Sequence, residues 1–289
     1  MQDFSGKIAV VTGGASGVGK CLCSDLARAG AHVVIADIDP ARLEAVRSEI
    51  DALGSGRVLA LTCDVTKESS VQALAETVFA EFPTVHLLFN NAGVGLGESQ
   101  RKIWDLPLSD WRWGLDVNVL GVVHGIKAFV PKMLEAGEEG MVINTSSANG
   151  GLHSLPNTPI YAATKAAVTS ITEVLHQQLL REGGTLKAGL LFPGPHTVNT
   201  GILASGEVRP DDYVENEAQK KVAYRSMDDL LEATGLKMKL TQPEEVSEFA
   251  LACVAEGRFW MVPESEDTDR AVGARTEQIL ARENPPSAW

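Results

Sequence analysis

Directly after the apolar run Lys7–Thr12, the chain reads Thr12-Gly-Gly-Ala-Ser-Gly-Val-Gly19 and then enters an amphipathic stretch, Cys21–Ala29. Aliphatic residues of strand length, closely spaced glycines and a helical pattern, in that order, make a strand, a tight turn and a helix. Gly13, Gly17 and Gly19 would let a pyrophosphate approach the backbone, with Ser16 and Val18 between them, and would let the helix start hard against the strand. A turn of this kind belongs to parallel sheets. An antiparallel hairpin has no helix to place there.

The remaining sequence repeats the theme. The runs His32–Ala36, Val58–Thr62, His86–Asn90, Met141–Thr145, Leu186–Phe192 and Phe259–Val262 read as strands, and Pro40–Leu53, Ser69–Phe82, Trp111–Ala136 and Tyr161–Glu182 read as helices between them. Alternation on this scale predicts an α/β, Rossmann-type doubly wound parallel sheet of about seven strands with helices on both faces. Residues 1–289 read as a single domain with two departures from the alternation. Residues 201–242 are charged, helical in pattern and follow a strand's carboxyl end, so they read as a substrate lid. Residues 264–289 read as a C-terminal extension, with a short helix over Ala271–Leu280.

Composition narrows the function. A net charge of −13 argues against nucleic acid and anionic membrane surfaces as partners. No uninterrupted apolar run reaches the ~18 residues of a membrane span. The four cysteines, Cys21, Cys23, Cys63 and Cys253, have no metal-ligand spacing, so no metal is expected. Their reduced state and the absence of a leader pattern point to the cytoplasm.

Two further features carry chemistry. The second strand ends at Asp37, eighteen residues after Gly19, where an acid accepts bonds from the adenosine ribose and repels a 2′-phosphate. Neither Ser16 nor Ile38 nor Asp39 offers a compensating cation, so NAD is expected over NADP. Asp39, before Pro40, suits the N-cap of the next helix. Tyr161 and Lys165 lie one helical turn apart on one face, where the ammonium would draw the phenol's pKa toward the range of a general base.

With the glycine turn and the Tyr–Lys pair in place, the sequence resembles the short-chain dehydrogenase/reductase family from about Phe4 to Pro195. Asp64-Val65 matches its adenine contact. Asn90-Asn91-Ala-Gly93 matches the motif that supports the sheet and borders the cofactor. Asn118 matches its catalytic Asn, Ser146-Ser147 its active-site serine, and Pro193-Gly194 the wall of the nicotinamide site. The resemblance implies that Tyr161 takes the substrate hydroxyl proton while hydride passes to the nicotinamide. It further implies that Lys165 lowers the tyrosine pKa and binds the nicotinamide ribose, that Ser147 polarises the substrate oxygen, and that Asn118 holds a water leading to solvent. Ser147 stands one residue further from Tyr161 than the family spacing and is preferred to Ser146. Thr197 and Thr200 both remain open as the threonine near the nicotinamide. The family also implies pairing through the helices carrying Asn118 and Tyr161, as a homodimer or homotetramer.

The pocket borders, Val94–Gly97, Gly150–Ser154 and His196 onward, are mostly small or apolar and suit a hydrophobic secondary alcohol or its ketone. His153 and His196 are candidates to bond a polar substituent. The segments Arg209–Glu217 and Phe259–Pro263 add a likeness to the Cα-dehydrogenase branch, which acts on benzylic alcohols of lignin-type aryl ethers. The alternative reading is a dinucleotide-binding regulator that has lost turnover, against which stands the presence of Asn118, Ser147, Tyr161 and Lys165 together.

Overall fold

Alternate residues of a strand point to opposite faces of a sheet, and here both faces are apolar. In the computed structural model, which describes residues 1–53, 56–99 and 101–285, Ile8 and Val10 face one layer of helices while Ala9 and Val11 face the other. The strands are β1 (Ile8–Thr12), β2 (His32–Asp37), β3 (Val58–Thr62), β4 (Leu87–Asn90), β5 (Gly140–Thr145), β6 (Leu186–Leu191), the short pair β7 (Thr197–Val198) and β8 (Leu240–Thr241), and β9 (Trp260–Met261). Seven of them form one sheet in the order β3-β2-β1-β4-β5-β6-β9, every pairing parallel. The order reverses between β1 and β4. A crevice opens there at the carboxyl ends of the strands, where sheets of this class bind their ligands.

One helical layer holds α1 (Gly17–Arg28), α2 (Pro40–Asp51) and α9 (Pro243–Glu256), seated through Leu22, Leu26, Ile50 and Ala250. The other holds α3 (Glu68–Glu81), α5 (Gly121–Ala136) and α7 (Pro159–Glu182), seated through Val78, Phe129 and Leu175, with the single turn α6 (Ala148–Gly151) ahead of α7. Leu22, Leu26 and Phe129 are fully buried. Truncating such a leucine to alanine costs ~2–5 kcal/mol, because the transfer energy is lost and a cavity is left.

The sequence pattern locates these elements and misplaces some of their ends. Helix α1 starts at Gly17 rather than Cys21, since its first turn is made by the glycine loop itself. Asp39 caps α2 as expected, accepting from the N–H groups of Ala41 and Arg42 at 3.0 and 3.1 Å. Before α5 lies α4 (Leu108–Leu115), joined to it by a wide π-type turn, Asp116–Leu120, which the hydrophobic pattern does not announce. The continuous helix Leu108–Ala136 has a mean hydropathy of 1.3 over its most apolar window, and 56% of that window is buried inside the protein. It is packed as a core helix against the sheet. The thiol of Cys21 has a pKa pushed up to about 12, chiefly by burial and then by Glu244.

The segment expected to be a helical lid is mostly tight turns, over Gly201–Val208, Asp211–Tyr213 and Glu217–Lys220, with one two-turn helix, α8 (Met227–Thr234). Ser205, Arg209 and Tyr213 are bonded to the body of the protein one by one, so turns gripped by side chains replace the expected helices. Parallel pairing of β7 with β8 draws its two ends together. The extension forms α10 (Glu266–Ala281), begun by Ser265, whose hydroxyl accepts from Thr268 N–H at 3.3 Å, and it extends beyond the expected Ala271–Leu280. The end of the extension, 286–289, falls outside the described residues.

Candidate active site

The glycine turn is shaped by close approach. A Cβ on Gly19 would sit 2.1 Å from the carbonyl oxygen of Gly13, and one on Gly13 (φ +63) would sit 2.9 Å from Ala92 Cα. No side chain but hydrogen fits at either position. Ser16, the N-cap of α1, is exposed and makes no side-chain cap, so the first-turn N–H groups at Gly17, Val18 and Gly19 have no such bond from it. Thr12 ties the turn to the neighbouring strand: its hydroxyl accepts from the N–H groups of Asn91 and Ala92 at 3.0 and 3.1 Å and donates to Phe89. The Asn91 amide donates to the Thr12 carbonyl at 3.1 Å. Asn90 donates to Asn144 at 2.8 Å, and Asn144 to Thr172 at 2.9 Å, joining β4, β5 and α7 beneath the crevice.

Asp37 ends β2 half-buried, accepting from Ala15 N–H at 3.1 Å and Asp39 N–H at 3.2 Å, with Ile38 half-buried beside it. Those two bonds leave lone pairs on the carboxylate for a further donor. Arg42, a cation in the first turn of α2, pairs with Asp39 at 3.0 Å and with Glu207 of the lid at 3.6 Å. Asp64 holds Thr66 by both backbone and hydroxyl, at 2.9 and 2.7 Å, and Val65 is buried against Gly121.

At the carboxyl ends of β4 and β5 the structure brings Asn118, Ser147, Tyr161 and Lys165 together. Lys165 is 4% exposed, its ammonium donates to the Thr145 carbonyl at 2.8 Å and lies 5.5 Å from the centre of the Tyr161 ring. Burial lowers its pKa from 10.5 to about 8. The Ser147 hydroxyl lies close enough to the Tyr161 phenol to favour its ionised form. Ser146, by contrast, is buried and committed to the Lys165 carbonyl and the Thr169 hydroxyl, both at 2.9 Å. Asn118 lies in the wide turn, fully buried. Its oxygen accepts from Val94 N–H at 2.8 Å, and its nitrogen donates to Val94 O at 3.2 Å and to the Thr164 hydroxyl at 3.1 Å. Gly93 sits between these groups, since a Cβ there would be 3.4 Å from Asn118 Oδ1 and 3.6 Å from Lys165 Nζ.

One expectation differs from the structure. Burial raises the Tyr161 pKa above its ordinary 10.0, and the Ser147 hydroxyl offsets this only in part. The Lys165 cation was expected to bring it down. The cost of removing the phenolate from water sets the direction instead, and the Lys165 ammonium donates to the Thr145 carbonyl.

Around this centre the two threonines separate. A Cβ on Gly17 would lie 3.2 Å from Thr200, so Thr200 abuts the glycine turn, whereas Thr197 is exposed in β7 opposite Leu240. Gly194, following Pro193, packs against Thr241, whose hydroxyl also accepts from His196 N–H at 3.3 Å. His153 offers its backbone carbonyl to Gly150 N–H at 2.6 Å, and its Nδ1 is buried with no partner among the described residues.

Sequence reasoning missed the grip on the lid and on the tyrosine's helix. Arg209 pairs with Asp110 at 2.6 Å, both side chains 2% exposed, and stacks over Trp113 at 4.8 Å. Tyr213 donates to Asp116 at 2.8 Å, and Ser205 accepts from Gly95 N–H at 3.0 Å. Glu98, 2% exposed, accepts from the N–H groups of Ile160 and Tyr161. These partners are far apart in the chain, and no local spacing marks them.

A family model described as short chain dehydrogenase matches residues 7–205. The chain belongs to the short-chain dehydrogenase/reductase family, and is an oxidoreductase of a fold that binds a nicotinamide dinucleotide. It is similar to a short chain dehydrogenase/reductase from Burkholderia phymatum in complex with NAD, 35% identical, with a TM-score of 0.87 over 100% of this chain and 99% of that one. It is also similar to the C alpha-dehydrogenase of Sphingobium sp. strain SYK-6, 30% identical over 92% of this chain and 83% of that protein, which links it to that branch. A metagenomic short-chain oxidoreductase in complex with NADP is 25% identical, with a TM-score of 0.64 over 87% of this chain and 91% of that one.

The residues present fit such a cofactor. The α1 N-terminus lacks a side-chain cap, the turn has no room for a Cβ at Gly19, and a buried ammonium uses one of its three N–H donors on Thr145.

Proposed function

We propose that this oxidoreductase prefers NAD and interconverts a hydrophobic secondary alcohol, aromatic or benzylic, and its ketone, with Tyr161 as the proton-transfer group. The observation that carries the reading is the meeting of the Tyr161 phenol, the Ser147 hydroxyl and the buried Lys165 ammonium in the crevice that begins at the glycine turn. Asp37 supports NAD over NADP. Arg42, the cation on the helix that follows, is engaged by Asp39 and Glu207. The similarity to a C alpha-dehydrogenase supports an aromatic or benzylic alcohol.

The turn from Gly13 to Gly19 would hold the pyrophosphate, Asp37 and Ile38 the adenosine ribose, and Asp64 and Val65 the adenine. Lys165 would hold the second ribose, with Asn91, Gly93, Pro193 and Gly194 bordering the ring. Bound there, the dinucleotide supplies the hydride acceptor in oxidation and the donor in reduction. The chain's own groups handle the proton. Ser147 shares its hydrogen bond between the phenol and the substrate oxygen, fixing that oxygen next to Tyr161 Oη. Lys165 places a positive charge under the ring, which favours loss of the phenolic proton. Asn118 has both ends of its amide committed to Val94 and Thr164, so its side chain braces the site, and a water leading from Lys165 to solvent would meet its main chain.

The raised tyrosine pKa sets the pH dependence. Oxidation needs the phenolate and gains as pH rises. Reduction needs the phenol and declines only as pH rises through the raised pKa. The test is NADH formation at 340 nm across aryl, steroid and aliphatic secondary alcohols, with kcat/KM compared for NAD and NADP. Expected are turnover of an aryl alcohol, a higher kcat/KM with NAD, and near-complete loss in Tyr161→Phe with NAD still bound. Equal kcat/KM for the two cofactors, or substantial activity in Tyr161→Phe, would overturn the corresponding part.

A further inference from the structure

A helix start is ordinarily satisfied from its own N-cap residue. Helix α7 is not: Thr158, its N-cap, makes no side-chain capping bond, and Pro159 follows with no N–H to give. The N–H groups of Ile160 and Tyr161 are instead taken by the two carboxylate oxygens of Glu98, at 2.7 and 2.8 Å, from sixty-two and sixty-three residues away. Glu98 is 2% exposed and Ile160 fully buried. For helix stability alone, a local Ser or Asp at the surface would serve at less desolvation cost than a buried carboxylate. Burial does raise the Glu98 pKa, with Asp110 adding to the rise, while the two peptide N–H groups hold it down.

The carbonyl of the same residue, Tyr161, is also held. The Thr164 hydroxyl donates to the Tyr161 carbonyl at 2.8 Å and accepts from Asn118, which in turn clasps both the N–H and the carbonyl of Val94. Val94 and Glu98 belong to one short loop. The bonds therefore close a ring: loop, Asn118, Thr164, Tyr161, Glu98 and back to the loop.

We propose that Glu98 is a positioning residue for Tyr161, acting through the tyrosine's own peptide N–H to hold its phenol in register with Ser147 and Lys165. The inference rests on the reading of Tyr161 as the proton-transfer group. Displacing a reacting group by a fraction of an ångström acts on kcat, whereas the glycine turn and Asp37, which bind the dinucleotide, are left as they are.

Glu98→Gln keeps the shape but turns an N–H donor toward a peptide N–H. Expected are a kcat about 10- to 100-fold lower, since small misplacements of a reacting group act on this scale, an unchanged Kd for NAD, and faster hydrogen–deuterium exchange at the Ile160 and Tyr161 amides. Glu98→Asp, which retains the charge but reaches less far, should fall between, and stands in should Glu98→Gln fail to fold. As a control, Ile50→Val in α2 trims the opposite layer and should lower Tm while leaving kcat unaltered. A folded Glu98→Gln or Glu98→Asp with wild-type kcat and wild-type exchange at those amides overturns the proposal, as does an equal loss of kcat in Ile50→Val. If the wild type turns over no alcohol or ketone, the exchange measurement still decides the clamp, and the functional reading alone fails.

Discussion

At the scale of single residues, the candidate site opposes electrostatics to burial. Lys165 is held inside the protein with one carbonyl as its partner, and its pKa falls from 10.5 to about 8 because the charged form is deprived of water. A depressed lysine pKa is a stability statement with a definite sign. Below about pH 8 both folded and unfolded chains carry the charge, and the folded chain bears the full desolvation cost. Between about 8 and 10.5 the folded chain releases the proton first, so that cost is relieved as pH rises. Lys165→Met should therefore unfold at a higher temperature than the wild type at pH 7, by about 2–4 °C for each kcal/mol relieved, with the gap narrowing toward pH 10. Thermal unfolding without cofactor, in a pH series, checks this, and a lower Tm at pH 7 would reverse it. Tyr161 shows the same tension. The Tyr161–Lys165 spacing was legible in the sequence because a helix converts a four-residue interval into proximity, but the sign of the tyrosine's pKa shift was not, because burial depends on every element packed around it.

At the scale of elements, the segment 201–242 divides. Its first half is a strap fixed to α4: Arg209 and Asp110 form a buried pair, Gln219 donates to Asp110 at 2.9 Å, and Tyr213 is packed in the core. Its second half, through α8 to Lys239, is largely exposed. A charged, irregular run predicts an excursion and cannot show which of its arginines will be drawn inside. Removing one partner of a buried pair strands the other, which costs about 3–5 kcal/mol, whereas replacing both by apolar groups is often neutral. Asp110→Asn should thus be markedly destabilised in denaturant unfolding, and Asp110→Leu combined with Arg209→Met should recover part of the loss, the remainder being the Tyr213 carbonyl that Arg209 no longer serves. Equal destabilisation in single and double variants would show that the strap is held by packing rather than by the pair. The wide turn Asp116–Leu120 lies in the same category: the hydrophobic pattern runs through it unbroken, yet it aims Asn118 at Val94 and receives Tyr213 at Asp116.

At the scale of the whole molecule, the helices bearing Asn118 and Tyr161 leave apolar side chains in solvent. Leu115 and Leu120 are 40% and 42% exposed and Val174 is 54% exposed. The pairing that the family resemblance implies predicts that a second copy covers them. Light scattering should give at least twice the chain's 30.8 kDa, and a monomer at micromolar concentration would reject the pairing.

Much of this architecture is written locally. Strand and helix periodicity, the glycine spacing, Asp37 at a strand end and Tyr161 one turn from Lys165 depend on neighbours within a few residues, where geometry is set by the chain itself. The ring through Glu98, the engagement of Ser146 by Lys165 and Thr169, the position of Thr200 against Gly17 and the Arg209–Asp110 pair join residues from about twenty to two hundred positions apart. Such pairings, and the desolvation that sets the charge state of Tyr161 and Lys165, come into being only when the sheet brings its carboxyl ends together. A linear pattern carries no record of which distant groups will be left without water.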